Sequence, residues 1–167
     1  ADAAREIVDD QINGAEKFAD AGVNSLDIKG QGTVKRIIDG VEVEVPFFKQ
    51  ERFPEGAKTL EDIEKVGGEG NVKLTREQQI AILREFDKAA NAKLVPFDTN
   101  PGNILVKGDG PNASAGFVES GSVIEAGSSE SARAVVNERL FGSTNVGASE
   151  FNSFRKATAA GDEGLAK

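Results

Sequence analysis

The chain has 167 residues and a formal net charge of −8, with 38% hydrophobic and 29% charged residues. This acidic balance argues against non-specific binding to nucleic acid or to anionic membranes, and no apolar run approaches the roughly 20 residues of a membrane helix. Cys, His, Met, Trp and Tyr are all absent, which excludes a Ser-His-Asp triad, a cysteine nucleophile, the usual zinc sites and disulfides. The remaining carboxylate, amide, hydroxyl and basic groups suit hard cations and phosphate.

The first part of the chain predicts a helix followed by a β-hairpin. Apolar residues recur every three or four positions over residues 3–20, the spacing of an amphipathic helix. Residues 25–49 carry apolar runs on both sides of Asp39-Gly40, a strong hairpin signal, and the alternation after this turn predicts one buried and one wet face. Pro46 lacks a backbone donor and indicates an edge strand or an interruption.

Two helices are predicted in the middle of the chain. The first extends over residues 59–66, with Thr59 as a candidate N-cap, and residues 67–71 have the composition of a flexible connector. The second extends over residues 75–92, where Thr75 and the Gln three residues later have the spacing of a capping box. The apolar stripe of this second helix predicts that it packs centrally.

The last part of the chain predicts a polar loop, two short strands and further helices. The loop precedes an apolar run at residues 104–106, and residues 116–121 predict a second strand that ends in a polar turn. Apolar spacing predicts a helix at residues 129–141 and a last helix at residues 149–160, with a frayed tail from Gly161.

The order of these elements predicts an α+β fold, in which a small antiparallel sheet is followed by a helical lobe. The length fits a single domain over residues 1–167. Within that domain the element order indicates a small lobe at residues 1–70 and a helical lobe at residues 71–167.

Residues 98–106, with the sequence DTNPGNILV, resemble the catalytic loop of protein kinase-like phosphotransferases. In that family the loop runs from an Asp to a Pro three positions on and an Asn five positions on, and then enters a strand, as Asp98, Pro101 and Asn103 do here. The Gly before the Asn is more similar to atypical and small-molecule kinases, and to secreted bacterial effector kinases. The resemblance implies a minimal kinase-like fold that transfers phosphate from Mg-ATP to an unknown hydroxyl acceptor on a protein or a small molecule.

Further segments resemble the nucleotide-binding parts of that family, in the same order along the chain. Gly30 and Gly32, in the sequence GQG, resemble a reduced Gly-rich loop, and Lys49 resembles the family's phosphate-binding lysine. Glu61 or Glu64 is the implied helix glutamate that pairs with this lysine. A lysine ammonium binds phosphate oxygens as a point charge, which suits a nucleotide triphosphate.

Three polar residues are the implied catalytic and metal-binding groups. The sequence ESG at residues 119–121 falls where the family has Asp-Phe-Gly, so Glu119 and Asn103 would supply oxygen ligands to Mg²⁺. Asp98 would orient the acceptor hydroxyl. Phosphoryl transfer depends mainly on positioning and charge neutralisation, and these roles need none of the five absent residue types.

The sequence also departs from the family's pattern. Pro96 stands where the family usually has His or Tyr, and Glu119 is one methylene longer than the Asp that it replaces. The chain between Lys49 and Asp98 is short for the strands of a full kinase small lobe. Three interpretations stay open: an active phosphotransferase, a catalytically inactive kinase-like binding module, and a designed scaffold with a reduced alphabet. In the last case the loop is an ordinary turn, rich in Asp, Asn, Gly and Pro.

Overall fold

The computed structural model describes residues 2–67, 74–96, 98–121 and 123–143, and within these ranges the fold is α+β, as predicted. The described elements are four α-helices, seven β-strands and one 3₁₀ turn. In chain order they are α1 (Asp2–Asp20), β1 (Ile28–Ile38), β2 (Val41–Gln50), β3 (Ala57–Thr59), α2 (Leu60–Gly67), α3 (Arg76–Asn91), β4 (Leu94–Pro96), the 3₁₀ turn (Pro101–Asn103), β5 (Ile104–Lys107), β6 (Ser114–Phe117), β7 (Val123–Glu125) and α4 (Ser129–Ser143).

Strands β1 and β2 form a two-stranded antiparallel hairpin around the predicted turn. Asp39 and Gly40 have φ angles of 52° and 80°, the left-handed pair that matches the twist of a hairpin with a two-residue turn. Pro46 lies within β2, opposite Thr33. No other described strand pairs with β2, so the proline belongs to an edge strand, as predicted.

The apolar face of this hairpin is less buried than its alternation predicts. Val41 is 61% exposed, and Ile38, its partner across the turn, is 52% exposed. Val43 and Val45 are half-buried, and helix α1 contacts β2. Every residue from 31 to 42 is exposed. The tip of the hairpin therefore projects into solvent, and burial increases only toward its base.

Two further sheets consist of short strands. Strands β3, β5 and β6 form a three-stranded antiparallel sheet, and β4 pairs with β7. The β5–β6 hairpin is the predicted strand pair, with Ile104 opposite Phe117. Strand β6 ends at Phe117 rather than at residue 121. Val118 N–H still donates to Asn103 O at 2.9 Å, but the ladder stops there because Asn103 N–H donates to Asn100 O at 2.8 Å within the 3₁₀ turn. The three-residue strands β3, β4 and β7 escape sequence prediction because they are too short to show a period.

Caps that the sequence predicts define the starts of two helices. The Thr75 hydroxyl accepts a hydrogen bond from Gln78 N–H at 3.2 Å, and Gln78 Oε1 accepts one from Thr75 N–H at 3.0 Å, which completes a capping box. Thr59 and Asp62 make the same exchange at the start of α2. Helix α3 contacts α4, β4, β5 and β6, so it packs centrally, as predicted.

One hydrophobic core contains residues from both halves of the chain. Phe117 stacks on Phe18 of α1 with ring centroids 5.2 Å apart, and it meets Phe86 of α3 edge-on at 5.1 Å. Leu60 of α2 and Ala132 of α4 belong to the same cluster. Residues before and after position 70 therefore share a core, and the division into two lobes stays a prediction.

Helix α1 is also tied to β7, the strand that follows the ESG sequence. Lys17 Nζ lies 2.9 Å from Glu125 Oε1. The hydrogen bond from Lys17, and then its charge, lower the pKa of the Glu125 carboxyl. A lowered pKa in the folded state means that this contact stabilises the fold above the ordinary pKa of Glu and is lost as pH falls through the folded value. Both side chains are largely exposed, so the contribution is small.

Several predicted features lie outside the described residues. They are the helix at residues 149–160, the tail from Gly161, and residues 68–71 of the connector. Within the described ranges, no helix has the length and apolar character needed to cross a membrane.

Candidate functional site

The predicted catalytic loop connects β4 to β5 through the 3₁₀ turn. Pro101 suits the first position of this turn, because its ring fixes φ and its missing donor has no partner there in any case. Asp98 is half-buried, and its Oδ1 accepts a hydrogen bond from Asn100 N–H at 3.0 Å, the pattern of an Asx turn. No described residue donates to Asp98 Oδ2, so within the described part of the chain only one of its two carboxylate oxygens accepts a hydrogen bond.

Asn103 joins this loop to the turn that carries Glu119. The Asn103 side chain is only 6% exposed. Its Nδ2 donates to the main-chain oxygens of Asp98 at 2.6 Å and of Glu119 at 3.4 Å, and its Oδ1 accepts a hydrogen bond from Glu119 N–H. Because Ile104 pairs with Phe117, the residues just outside the β5–β6 hairpin leave it at the same end. The structure therefore brings three of the predicted site residues together.

The Glu119 carboxylate is exposed and is held from one side by α1. Gln11 Nε2 donates to Glu119 Oε1 at 2.7 Å, and Gln11 Oε1 accepts a hydrogen bond from Ser120 N–H at 3.2 Å. The Ser120 hydroxyl donates to the main-chain oxygen of Gln11 at 3.0 Å. One residue of the helix thus makes three hydrogen bonds to two residues of the turn.

Gln11 is a site residue that sequence reasoning misses. It is 4% exposed and shares a helical face with Val8 and Ala15, at three- and four-residue spacing. A polar residue on an apolar helical face is the signal that would find it, because a buried amide needs hydrogen-bond partners. Gly14 lies on the same side of α1, where a Cβ would come within 1.6 Å of Ser120 O.

The two glycines of the GQG sequence lie in a strand and not in a loop. Within β1, Gly30 pairs with Lys49 and Gly32 pairs with Phe47. The predicted Gly-rich loop is therefore corrected to extended backbone, because the turn of this hairpin forms at Asp39-Gly40. Close packing explains one of the glycines, since a Cβ at Gly32 would lie 3.1 Å from the Phe47 ring.

Lys49 lies near the end of β2, one residue before Gln50, which contacts the site. The next residue, Gln50, donates from Nε2 to Val118 O at 2.5 Å, which places the end of β2 beside the residue that precedes Glu119. Lys49 itself is exposed and points away from this contact, since successive side chains of a strand face opposite ways. Its ammonium makes no ion pair with any described residue.

Glu61 lies beside the PGN sequence and not beside Lys49. A Cβ at Gly102 would lie 3.1 Å from Glu61 Oε2, so this glycine makes room for the carboxylate. The predicted pairing of Lys49 with Glu61 is therefore absent among the described side chains. The side chain of Glu64, the other predicted partner, lies outside the described residues.

The donor groups of the site meet part of what Mg²⁺ requires. The described residues contain no cluster of three or more carboxylates that could hold a metal ion alone. Mg²⁺ bound to a nucleotide needs only one or two carboxylates, with phosphates and water completing its shell. Glu119 fits this role through Oε2, because Gln11 holds Oε1. Asn103 fits less well, because it is buried and one lone pair of its Oδ1 already accepts Glu119 N–H.

An apolar cavity of about 170 Å³ lies along the same β5–β6 hairpin. Its walls come from β5, β6, the chain around Leu26 and the segment after β2, and they include Leu105, Phe117, Pro54 and Ala57. Leu105 and Phe117 are each two residues from Asn103 and Glu119, respectively. Concave apolar sites of this kind commonly bind small molecules, but Asp98, Asn103 and Glu119 are not among the residues that line this one.

No protein-family model matches the chain, and a search of curated proteins finds no match. The kinase-like interpretation therefore depends on the residues and their geometry.

Replacing Asn103 with Leu is expected to destabilise the fold by about 2–6 kcal/mol. The change keeps the side-chain size but leaves Glu119 N–H and Asp98 C=O without partners, at about 1–3 kcal/mol each. Urea unfolding measures the loss. Asn100→Leu is the matched control, since Asn100 is exposed and its side chain makes no capping bond; we expect its effect to stay within about 0.5 kcal/mol. Equal effects of the two changes would show that Asn103 does not join the two segments.

Proposed function

We propose that the chain is a kinase-like phosphotransferase that uses Mg-ATP to phosphorylate a hydroxyl group on a protein or a small molecule. The observation that carries this proposal is the Asn103 side chain, which hydrogen-bonds the main chain of both Asp98 and Glu119. Two sequence motifs that resemble a catalytic loop and a metal-binding motif are therefore neighbours in space. Such neighbours are what positioning of a phosphate donor and an acceptor requires.

Asp98 is the group that orients the acceptor. The acceptor oxygen forms a bond to the γ-phosphorus of ATP while the bond from that phosphorus to the bridging oxygen of ADP breaks. The hydroxyl proton goes to Asp98 Oδ2, which accepts no hydrogen bond from a described residue. The Asx turn through Oδ1 fixes the carboxylate, so that this second oxygen is presented in a defined direction.

Glu119 is the carboxylate that would hold the Mg²⁺ of Mg-ATP. Bound there, the ion would neutralise charge on the phosphate oxygens. Lys49 faces away from the Gln50 contact, so its long side chain would have to curve around the end of β2 for the ammonium to bind the phosphates as a flexible point charge. The apolar cavity lined by Leu105 and Phe117 offers the base of the nucleotide a place shielded from water.

The second candidate is a catalytically inactive kinase-like module that binds a nucleotide or a partner. Two observations favour it: Asn103 Oδ1 is already engaged by Glu119 N–H, and Glu119 replaces the shorter Asp of the family. Such a module would bind nucleotide without transferring phosphate. A designed scaffold, the third alternative, would do neither.

Millimolar Mg-ATP is expected to raise the melting temperature of the chain. A ligand at a hundredfold its Kd stabilises the folded state by about 2.7 kcal/mol, and about 1 kcal/mol moves the melting temperature by roughly 2–4 °C for a chain of this size. Thermal unfolding followed by circular dichroism measures the shift. Lys49→Ala should reduce it with or without metal if the ammonium reaches the phosphates, and an unchanged shift would show that Lys49 stays turned away from the site.

The metal contribution is tested by repeating the unfolding with EDTA and with Glu119→Gln. Both should remove the Mg²⁺-dependent part of the shift. Glu6→Gln is the matched control, because Glu6 is an exposed carboxylate on α1, and it should leave the shift unchanged. The absence of any shift with wild-type protein would eliminate both the enzyme and the nucleotide-binding module.

A further inference from the structure

Gln11 is a buried amide whose hydrogen bonds all go to the turn that carries Glu119. Its side chain is 4% exposed, and burying an amide is unfavourable unless its donor and acceptor are satisfied. The donor goes to Glu119 Oε1 at 2.7 Å, and the acceptor receives Ser120 N–H at 3.2 Å. The helix therefore presents one fixed N–H to the carboxylate that the proposed function assigns to Mg²⁺.

Glycines on both sides make room for this amide. A Cβ at Gly121 would lie 2.1 Å from Gln11 Nε2, and a Cβ at Gly14 would lie 1.6 Å from Ser120 O. A larger residue at Gly14 would force the helix and the turn apart, because it would meet the main chain of Ser120, and one at Gly121 would displace the Gln11 side chain. The contact between Gln11 and Glu119 is therefore built into the packing of α1, unlike a chance meeting of two surface side chains.

The hydrogen bond from Gln11 affects metal binding because the Glu119 side chain is long. A glutamate has one more rotatable bond than an aspartate, and an exposed carboxylate on a longer arm loses more conformational freedom when it binds a cation. Mg²⁺ tolerates little deviation from octahedral geometry. A hydrogen-bond donor to Oε1 restricts the Glu119 side chain before the cation binds.

We propose that Gln11 is a positioning residue for Glu119: it holds Oε1 so that Oε2 is directed at the cation on the nucleotide phosphates. This inference rests on the proposed function. It adds Gln11 of α1, 108 positions before Glu119 in the sequence, to the loop and turn at residues 98–121. Groups that orient a metal-binding carboxylate typically contribute roughly 10- to 100-fold to metal affinity.

The test measures the affinity for Mn²⁺ in the presence of ADP, by the electron paramagnetic resonance signal of free Mn²⁺. Gln11→Met keeps the length of the side chain and removes the N–H donor to Glu119 Oε1 without adding a charge that could itself bind the cation. It also removes the acceptor for Ser120 N–H, a packing effect that the double-mutant cycle below separates. We expect this change to weaken Mn²⁺ binding by roughly 10- to 100-fold. The affinity for ADP without metal, measured by calorimetry, should stay unchanged, which a general loss of structure would not allow.

A double-mutant cycle separates positioning from packing. Glu119→Asp shortens the carboxylate side chain out of reach of Gln11, so Gln11→Met should weaken Mn²⁺ binding far less in that background than in wild type. Equal effects in the two backgrounds would show that Gln11 acts only on the packing of the turn and would overturn the inference.

A measurement on wild-type protein keeps the inference testable if these variants do not fold. The side-chain NH₂ resonance of Gln11 should shift when Mg²⁺ is added to the ADP complex and not when ADP is added alone. No shift on metal binding would contradict the inference. If wild-type protein with ADP binds no Mn²⁺ at all, the proposed function fails, and the inference fails with it.

Discussion

Replacing Asp98 with Asn is expected to abolish phosphate transfer and to leave the stabilisation by Mg-ATP intact. The Asn side chain has nearly the same shape and keeps an Oδ1 acceptor for Asn100 N–H, so the Asx turn can still form. It removes the negative charge that takes the acceptor proton. General-base catalysis contributes roughly 10²- to 10⁴-fold, and Asp98 does not contact the nucleotide in the proposed arrangement.

Transfer is measured with γ-labelled ATP, as label incorporated into the chain itself or into candidate hydroxyl acceptors. The matched control is Asp109→Asn, because Asp109 is an exposed aspartate in the loop between β5 and β6. This control should transfer label at the wild-type rate. If Asp98→Asn does so as well, Asp98 serves only the turn. If wild-type protein binds Mg-ATP but transfers no label to any acceptor, the inactive binding module is the better account.

Replacing Gly14 with Ala is expected to destabilise the fold by about 2–4 kcal/mol, against the usual direction of this change. In a helix interior Ala is favoured over Gly by about 1 kcal/mol. Here the added Cβ would lie 1.6 Å from Ser120 O and 2.7 Å from Ser120 C. Main-chain atoms cannot rotate aside, so α1 must move away from the turn, at an overpacking cost of about 1–3 kcal/mol. The two side-chain hydrogen bonds of Gln11 would be lost in that movement, at about 1 kcal/mol each, and the helix propensity of Ala offsets about 1 kcal/mol of the total.

Urea unfolding of Gly14→Ala and of Asn13→Ala measures this prediction. Asn13 is the preceding residue of the same helix and is exposed, so its replacement by Ala should stabilise the chain by a few tenths of a kcal/mol, from helix propensity. Stabilisation by both changes would mean that α1 and the turn do not approach as closely as described. Folded Gly14→Ala protein should also lose affinity for Mn²⁺ with ADP, because its α1 can no longer place Gln11 against Glu119.

Features of the fold that depend on a few neighbouring residues could be predicted from the sequence. Asp39-Gly40 specified the hairpin turn, because the left-handed φ angles of that turn suit this pair. Thr75 specified the start of α3, because its cap and that cap's partner lie three residues apart. The helices followed from apolar spacing over several turns. Local chemistry is sufficient for such elements, because both partners of each contact lie in the same short segment.

Part of the candidate site could be predicted in the same way. Asp98, Asn103 and Glu119 were identified from two short motifs, and the β5–β6 register brings them together. The main role of Asn103 could not be predicted, because its side-chain amide hydrogen-bonds the main chain of Glu119, which lies 16 residues away in the sequence. Gly30 was assigned to a loop, although a cross-strand pairing with Lys49 makes it a strand residue.

The tertiary structure alone decided the features that depend on partners distant in the sequence. Strands β4 and β7 have three residues each and form only because they pair with each other, although residues 98–103 and the β5–β6 hairpin separate them in the chain. Gln11 has partners only because α1 packs on the turn at Ser120, with Gly14 allowing the close approach. The sequence by itself determined the helices, the hairpin turn and the polar motifs, since their signals are local. Packing decided that Gln11 holds Glu119, because no local sequence pattern predicts a contact between residues more than a hundred positions apart.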